Sequence, residues 1–136
     1  MREPSVGDEL PPLTVESVSG EKMKTMAALL NDSTPIHWDV RTLRELGMGD
    51  RPINQGPSNM AYVMTMLASW AGGAEHLRSF QVRFLSNVCA GDRVTSRAVV
   101  AAVRDEGGRR LADCEVSLVI DDSTVALTGT ATVEIT

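Results

Sequence analysis

Aromatic rings are scarce in this sequence. Two tryptophans, one tyrosine and two phenylalanines make up 4% of 136 residues. A core must therefore be assembled from aliphatic side chains and the seven methionines. Cysteine is scarcer still. Cys89 and Cys114 form no Cys-x-x-Cys pair and sit in apolar, strand-like surroundings, the pattern of buried free thiols in a reducing cytosol. Basic charge is in deficit: 13 lysines and arginines face 18 acidic residues, for a net charge of −5. A general nucleic-acid binder would show a basic face, and the one adjacent basic pair, Arg109-Arg110, falls in a turn. No apolar signal segment opens the chain and no run of about 18 apolar residues occurs. Neither secretion nor a membrane span is indicated, and a cytoplasmic location is expected. Ser58, Ser69 and Ser86 lack the Gly-x-Ser-x-Gly setting of a hydrolase nucleophile. The Gly47-Met48-Gly49 stretch lacks the third glycine and the strand–turn–helix setting of a phosphate loop. Metal-ligand spacing is absent, and the only histidines are His37 and His76.

What is present is ordinary globular composition, 43% hydrophobic and 23% charged, at a length that suits one domain over residues 1–136. Residues 1–12 end in Pro11-Pro12 and read as an extended arm. Residues 13–19 alternate apolar and polar, a short strand. Ser19 or Gly20 then caps a helix with Met23, Met26, Ala27 and Leu30 at three- and four-residue spacing. Pro35 stops its continuation and holds Thr34 extended. A second short helix over 40–46 ends at Gly47, and 47–54 reads as loop. Gly56-Pro57-Ser58-Asn59 is a helix start, because proline loses nothing in a first turn. The helix over 58–70 carries Met60, Val63, Met64, Met66, Leu67 and Trp70, with Thr65 and Ser69 as a thin polar strip. Apolar on most faces, it is expected to be buried nearly all round. Gly72-Gly73 ends it. Four strands follow, over 77–85, 92–103, 111–120 and 125–135, joined by turn-forming residues.

One buried helix followed by four consecutive antiparallel strands has few packing solutions. A sheet with one apolar face must wrap the helix. The expected architecture is an α+β hotdog fold, a curved antiparallel sheet around one long helix. An exposed edge strand of such a sheet is a template for another chain, so a dimer is expected.

Asp32 and His37 flank Pro35 on what must be a kinked segment. Carboxylate plus imidazole is a usable acid/base pair near neutral pH. On spacing alone, Asp32 could equally cap the helix that begins near Trp38 or close a turn, with His37 a satisfied loop residue. Gly56 stands at the N-terminus of the apolar helix, where free N–H groups and the dipole favour developing negative charge. It could also be a plain helix-start glycine. Asn54 and Gln55 could donate to a substrate or pin the loop. His76 reads as surface loop, and Tyr62 and Trp70 as core or dimer-interface residues.

Taken together, these segments resemble the MaoC-like, or (R)-specific, enoyl-CoA hydratase family. Asp32-Ser-Thr-Pro35-Ile36-His37-Trp-Asp39 stands in place of the family's Asp-x-Asn-Pro-(Leu/Ile)-His-x-Asp motif. Arg51-Pro52-Ile53-Asn54-Gln55-Gly56 stands in place of Arg-Pro-Ile-Val-His-Gly at the start of the hotdog helix. Val82-Arg83-Phe84 through Gly91-Asp92 resembles a later family segment. The resemblance implies hydration of a trans-2-enoyl thioester, or the reverse dehydration, in lipid or steroid acyl-chain metabolism. Asp32 and His37 would be catalytic, and Gly56, Gln55 and Asn54 substrate-binding. No metal or redox cofactor would be needed, with coenzyme A or an acyl-carrier pantetheine being part of the substrate. Thr34, Gln55, Pro57 and Met64 depart from the family pattern, which implies an altered acyl pocket. Trp70-Ala71-Gly72 resembles small family members that pair with a second, different MaoC-like subunit, so a homodimer and a hetero-oligomer are both expected forms. A hotdog thioesterase and a non-catalytic partner subunit are the competing readings. The ordered Asp-x-x-Pro-x-His motif argues against the first, and retention of both Asp32 and His37 against the second.

Overall fold

The computed structural model describes residues 3–136. In chain order these form β1 (Leu13–Val15), α1 (Gly20–Leu29), a 3-10 turn (Pro35–His37), α2 (Val40–Glu45) and α3 (Gly56–Ala71). A second 3-10 turn (Ala74–His76) then leads into β2 (Leu77–Phe84), β3 (Val94–Glu106), β4 (Arg109–Ile120) and β5 (Thr124–Glu134). The strands make one five-stranded sheet in the order β1-β3-β4-β5-β2, antiparallel throughout. Register shifts at Val100/Ala102 of β3 and Leu118/Val119 of β4 mark bulges, which bend strands and let a sheet curve. The concave face holds α3, as a hotdog fold requires.

The core is aliphatic. Val63 and Leu67 of α3 meet Leu118 and Leu127 of the sheet and Val88 of the following loop, all at 0% exposure. Burying a side chain of this size contributes about 1.5–3 kcal/mol. The helix is not covered on every side, however. Asn59, Val63, Met66, Leu67 and Ala71 are buried, while Ala61, Met64, Thr65 and Ser69 are exposed. The expectation of burial nearly all round fails within one chain because a five-stranded sheet curls over only one side of a helix.

Three boundaries differ from the sequence reading. Helix α3 begins at Gly56, two residues early, because Pro57 occupies the first turn. β1 keeps only three residues. The arm, within the described residues, is not free: Gly7 N–H donates to Val100 O at 2.8 Å, Val100 N–H to Asp8 O at 2.9 Å and Leu10 N–H to Ala98 O at 3.0 Å. Leu10 is buried beneath it. The arm thus extends the sheet edge beside β3. No helix among the described residues is long and apolar enough to cross a membrane.

Candidate active site

Helix α1 ends in a way that fixes Asp32. Its C-cap is Leu30, and the next residue, Asn31, takes a left-handed φ of 51°, a conformation asparagine tolerates better than most residues. The Asn31 N–H then donates to Ala28 O at 3.2 Å and the Asp32 N–H to Ala27 O at 2.9 Å. This pair of bonds is the Schellman closure of a helix. Asp32 folds back over its own successors: its Oδ1 accepts from the Thr34 N–H at 3.0 Å and from Thr34 Oγ1 at 2.5 Å. Those two bonds, with a smaller contribution from His37, hold the Asp32 carboxyl below its ordinary pKa. Asp32 does not cap α2. Asp39 does, accepting from the Arg41 N–H at 3.1 Å and Thr42 Oγ1 at 2.8 Å.

Pro35 opens the 3-10 turn, and Thr34 before it is extended at ψ 119°. The turn delivers His37 to a buried position, 9% exposed. His37 Nδ1 lies 2.6 Å from Ile53 O. A carbonyl only accepts, so Nδ1 carries the hydrogen and Nε2 of the neutral ring presents a lone pair. That Nε2 stands 3.7 Å from Asp32 Oδ2. The gap is too long for a direct hydrogen bond and suits one bridging water. The Ile53 N–H closes the clamp by donating to Ile36 O at 2.9 Å.

The same stretch leads into α3. Asn54 N–H donates to Val88 O at 2.7 Å and Ala90 N–H to Pro52 O at 2.8 Å. Arg51 reaches Asp92 Oδ1 at 2.7 Å, while Asp92 Oδ2 accepts from the Cys89 N–H at 2.9 Å. The segment before α3 is therefore pinned between the 3-10 turn and the loop after β2. Gly56 is the first residue of α3, and no group among the described residues accepts from its N–H. The Phe84 ring lies over Gly56, and a Cβ there would meet Cζ at 3.1 Å. A free N–H at a helix N-terminus is a donor open to a carbonyl or anionic group.

Asn54 and Gln55 turn into the protein. Asn54 Nδ2 donates to Asn59 Oδ1 at 2.8 Å and to the Tyr62 hydroxyl at 3.3 Å. Gln55, 1% exposed, donates from Nε2 to Met23 O at 2.8 Å, and its Oε1 has no partner among the described residues. Of the two alternatives open for these side chains, loop pinning is the one their hydrogen bonds satisfy. His76 sits half-buried in the second 3-10 turn, 3.9 Å from Glu75 Oε1. Cys114 is buried, its thiol pushed up to about 11 chiefly by that burial, whereas Cys89 is only half-buried. Trp70 and Tyr62 pack partly buried against the core. Three parts of the site escaped sequence reasoning: the Ile53 carbonyl, the Thr34 grip on Asp32, and the Phe84 ring over Gly56. A backbone carbonyl carries no sequence signal, but the Asp-x-Thr spacing of an Asx-type turn was a usable one.

Comparison with known proteins finds the same fold in solved structures. The (R)-hydratase from A. caviae involved in PHA biosynthesis is 23% identical over 100% of both chains, with a TM-score of 0.86. A chain of the ChsH1–ChsH2 complex from Mycobacterium tuberculosis is 20% identical over 98% of this chain and 100% of that one, with a TM-score of 0.82. A chain of the C-terminally truncated HadBC (3R-hydroxyacyl-ACP dehydratase) complex, also from Mycobacterium tuberculosis, is 17% identical over 98% and 99%, with a TM-score of 0.73. No curated protein matches at the sequence level. At such identities the likeness speaks for the fold. The sequence profile of the MaoC-like domain, however, matches residues 7–122, a span that contains the Asp32–His37 turn and the start of α3. The chain belongs to the MaoC-like hydratase and dehydratase family.

Proposed function

We propose that this protein hydrates a trans-2-enoyl thioester, or dehydrates the corresponding 3-hydroxyacyl thioester. The observation that carries the reading is the 3.7 Å gap between His37 Nε2 and Asp32 Oδ2, with Nδ1 already committed to Ile53 O. One water fits between the two free acceptors and donates to both. The thioester carbonyl takes the Gly56 N–H. As the water oxygen bonds to the β-carbon, the π electrons of the C=C bond move to the carbonyl oxygen, giving an enolate. A proton from the water passes to the Asp32–His37 pair and is returned to the α-carbon on the same face, restoring the carbonyl. General acid/base groups contribute about 10²–10⁴-fold. The Gly56 donor acts on charge that develops in the transition state, where one such bond is worth about 3–4 kcal/mol. The only carrier needed is coenzyme A or an acyl-carrier pantetheine, which arrives with the substrate.

The site is completed by a second chain in this reading. Among the described residues β2 pairs only with β5, which leaves its outer edge unpaired, and the outer face of α3 is exposed. The partner is a second copy or a different MaoC-like subunit; two of the similar structures are complexes of unlike chains by their names.

The test is one assay on short- and long-chain trans-2-enoyl-CoAs, following enoyl absorbance and free thiol together. Loss of absorbance without thiol is the expected result. Thiol release makes the protein a thioesterase. No change in either makes this chain a subunit that lacks its catalytic partner.

A further inference from the structure

Asp32 borders more than the water gap. It lines an open cleft of about 420 Å³ together with Ala27 and Ala28 of α1, Asn31, Ser33 and Trp38, and with Lys24 as the cation at its border. The size falls within the range of about 300–1,000 Å³ usual for small-molecule sites. The Trp38 ring is 44% exposed. Its indole N–H is already given to the Ser33 carbonyl at 3.3 Å, so what it offers the cleft is an apolar face. Alanine at 27 and 28 leaves the α1 side of the cleft without a bulky side chain. The rim cation is engaged as well, Lys24 Nζ pairing with Glu21 Oε1 at 3.0 Å. An acidic occupant gains little here, and an apolar one gains the Trp38 face.

The hydration reading, on which this inference rests, says which apolar group arrives. With the carbonyl on the Gly56 N–H and the β-carbon at the water shared by Asp32 and His37, the acyl chain beyond the β-carbon starts within a bond or two of Asp32. The cleft is lined by Asp32 and by neither His37 nor Gly56, so cleft and water gap meet at Asp32, and a chain that leaves the gap on the Asp32 side enters the cleft.

We propose that the cleft between α1 and Trp38 is the subsite for the distal acyl chain, selecting long or ring-bearing apolar thioesters over short ones. Ala28 and Trp38 are its specificity-determining residues. A chain that ends at the γ-carbon does not reach the cleft, whereas a chain of eight or more carbons, or a fused ring, covers the Trp38 face.

Trp38 supplies its own readout. Trp70→Phe leaves it the sole indole, since the chain has two tryptophans. Saturated dodecanoyl-CoA and butyryl-CoA, which cannot be hydrated, are titrated into this protein to saturation as judged by calorimetry. Dodecanoyl-CoA is expected to shift Trp38 emission to the blue and to cut its acrylamide quenching at least twofold; butyryl-CoA is expected to do neither. Ala28→Phe, on the solvent-facing wall of α1, should abolish the response. It should also lower the ratio of kcat/KM for dodecenoyl-CoA over crotonyl-CoA at least tenfold. An equal response to both ligands puts the pantetheine arm in the cleft and overturns the proposal. So does silence of Trp38 with dodecanoyl-CoA bound, absence of any acyl-CoA binding, or an unmoved ratio in folded Ala28→Phe. If the wild type hydrates neither enoyl-CoA, the hydration reading fails, and the fluorescence titration still decides what fills the cleft.

Discussion

At the scale of single residues, the site is an arrangement of commitments. His37 gives its Nδ1 hydrogen to Ile53 O, and Asp32 Oδ1 accepts from the Thr34 N–H and hydroxyl. Each is left with one free atom, and those two atoms face each other across 3.7 Å. If that water-holding pair does the chemistry, Asp32→Asn and His37→Ala should each lower kcat by about a hundredfold or more, with far-UV circular dichroism unchanged. Turnover near wild type in either variant removes that residue from the mechanism. Thr34 stands where the related motif has asparagine, and it meets the Asp32 carboxylate twice. Thr34→Val keeps the backbone N–H and the branched shape and deletes only the hydroxyl. The Asp32 carboxyl should rise toward its ordinary pKa and gain freedom to turn. We expect kcat to fall by about tenfold, the order of one hydrogen bond to a partly exposed charge, KM to change little, and Thr34→Ser to restore the rate. A valine variant with unaltered kcat would reduce the Thr34 bond to turn-making.

At the scale of elements, two glycines show how differently the same substitution reads. A Cβ at Gly129 of β5 would lie 2.0 Å from Gln81 O and 2.8 Å from Val82 Cα of β2, both backbone atoms fixed by the β2–β5 ladder. Gly129→Ala must push the strands apart and is expected to cost about 3 kcal/mol or more, read as a lowered urea midpoint. At Gly56 the nearest atoms to an added methyl belong to the Phe84 side chain, at 3.1 Å and beyond, and not to backbone. Gly56→Ala should stay within about 1 kcal/mol of wild type, since alanine also favours the helix, so a loss of activity there would report on the site and not on the fold. Elements of this kind were partly legible in the sequence. A helix apolar on most faces, started at Gly56-Pro57, and four strand-like segments parted by turn residues pointed to the hotdog fold, because both are local features of the sequence. Asp32, His37 and Gly56 stood out by residue type and order. What local patterning does not carry is tertiary: that Gly129 is a close approach of two strands, that Ile53 orients His37 through a carbonyl 16 residues away, and that Asn54 and Gln55 point inward to Tyr62 and Met23.

At the scale of the molecule, the fold leaves one edge unfinished. β2 runs eight residues, Leu77–Phe84, longer than the usual strand of about 5–6, with a free ladder along its outer side. The opposite edge differs: β1 is three residues long, and the arm beside β3 is already hydrogen-bonded. A long open edge pairs with another chain unless something blunts it. Apolar side chains are exposed at the end of this strand, Phe84 at 51% and Leu85 at 52%, and on the outer face of α3, Met64 at 38%. Phe84 both ends this strand and roofs Gly56, so whatever pairs with β2 also settles beside the Gly56 N–H. The expectation is that the isolated chain sediments at twice its 14.6 kDa mass or above, and that Met64→Asp, which would set a charge on the helix face turned toward that partner, brings it down to the monomer mass together with loss of enoyl hydration. A wild-type chain that sediments at 14.6 kDa at micromolar concentration excludes pairing between like chains. A dimer untouched by Met64→Asp places the interface elsewhere than on α3 and the β2 edge.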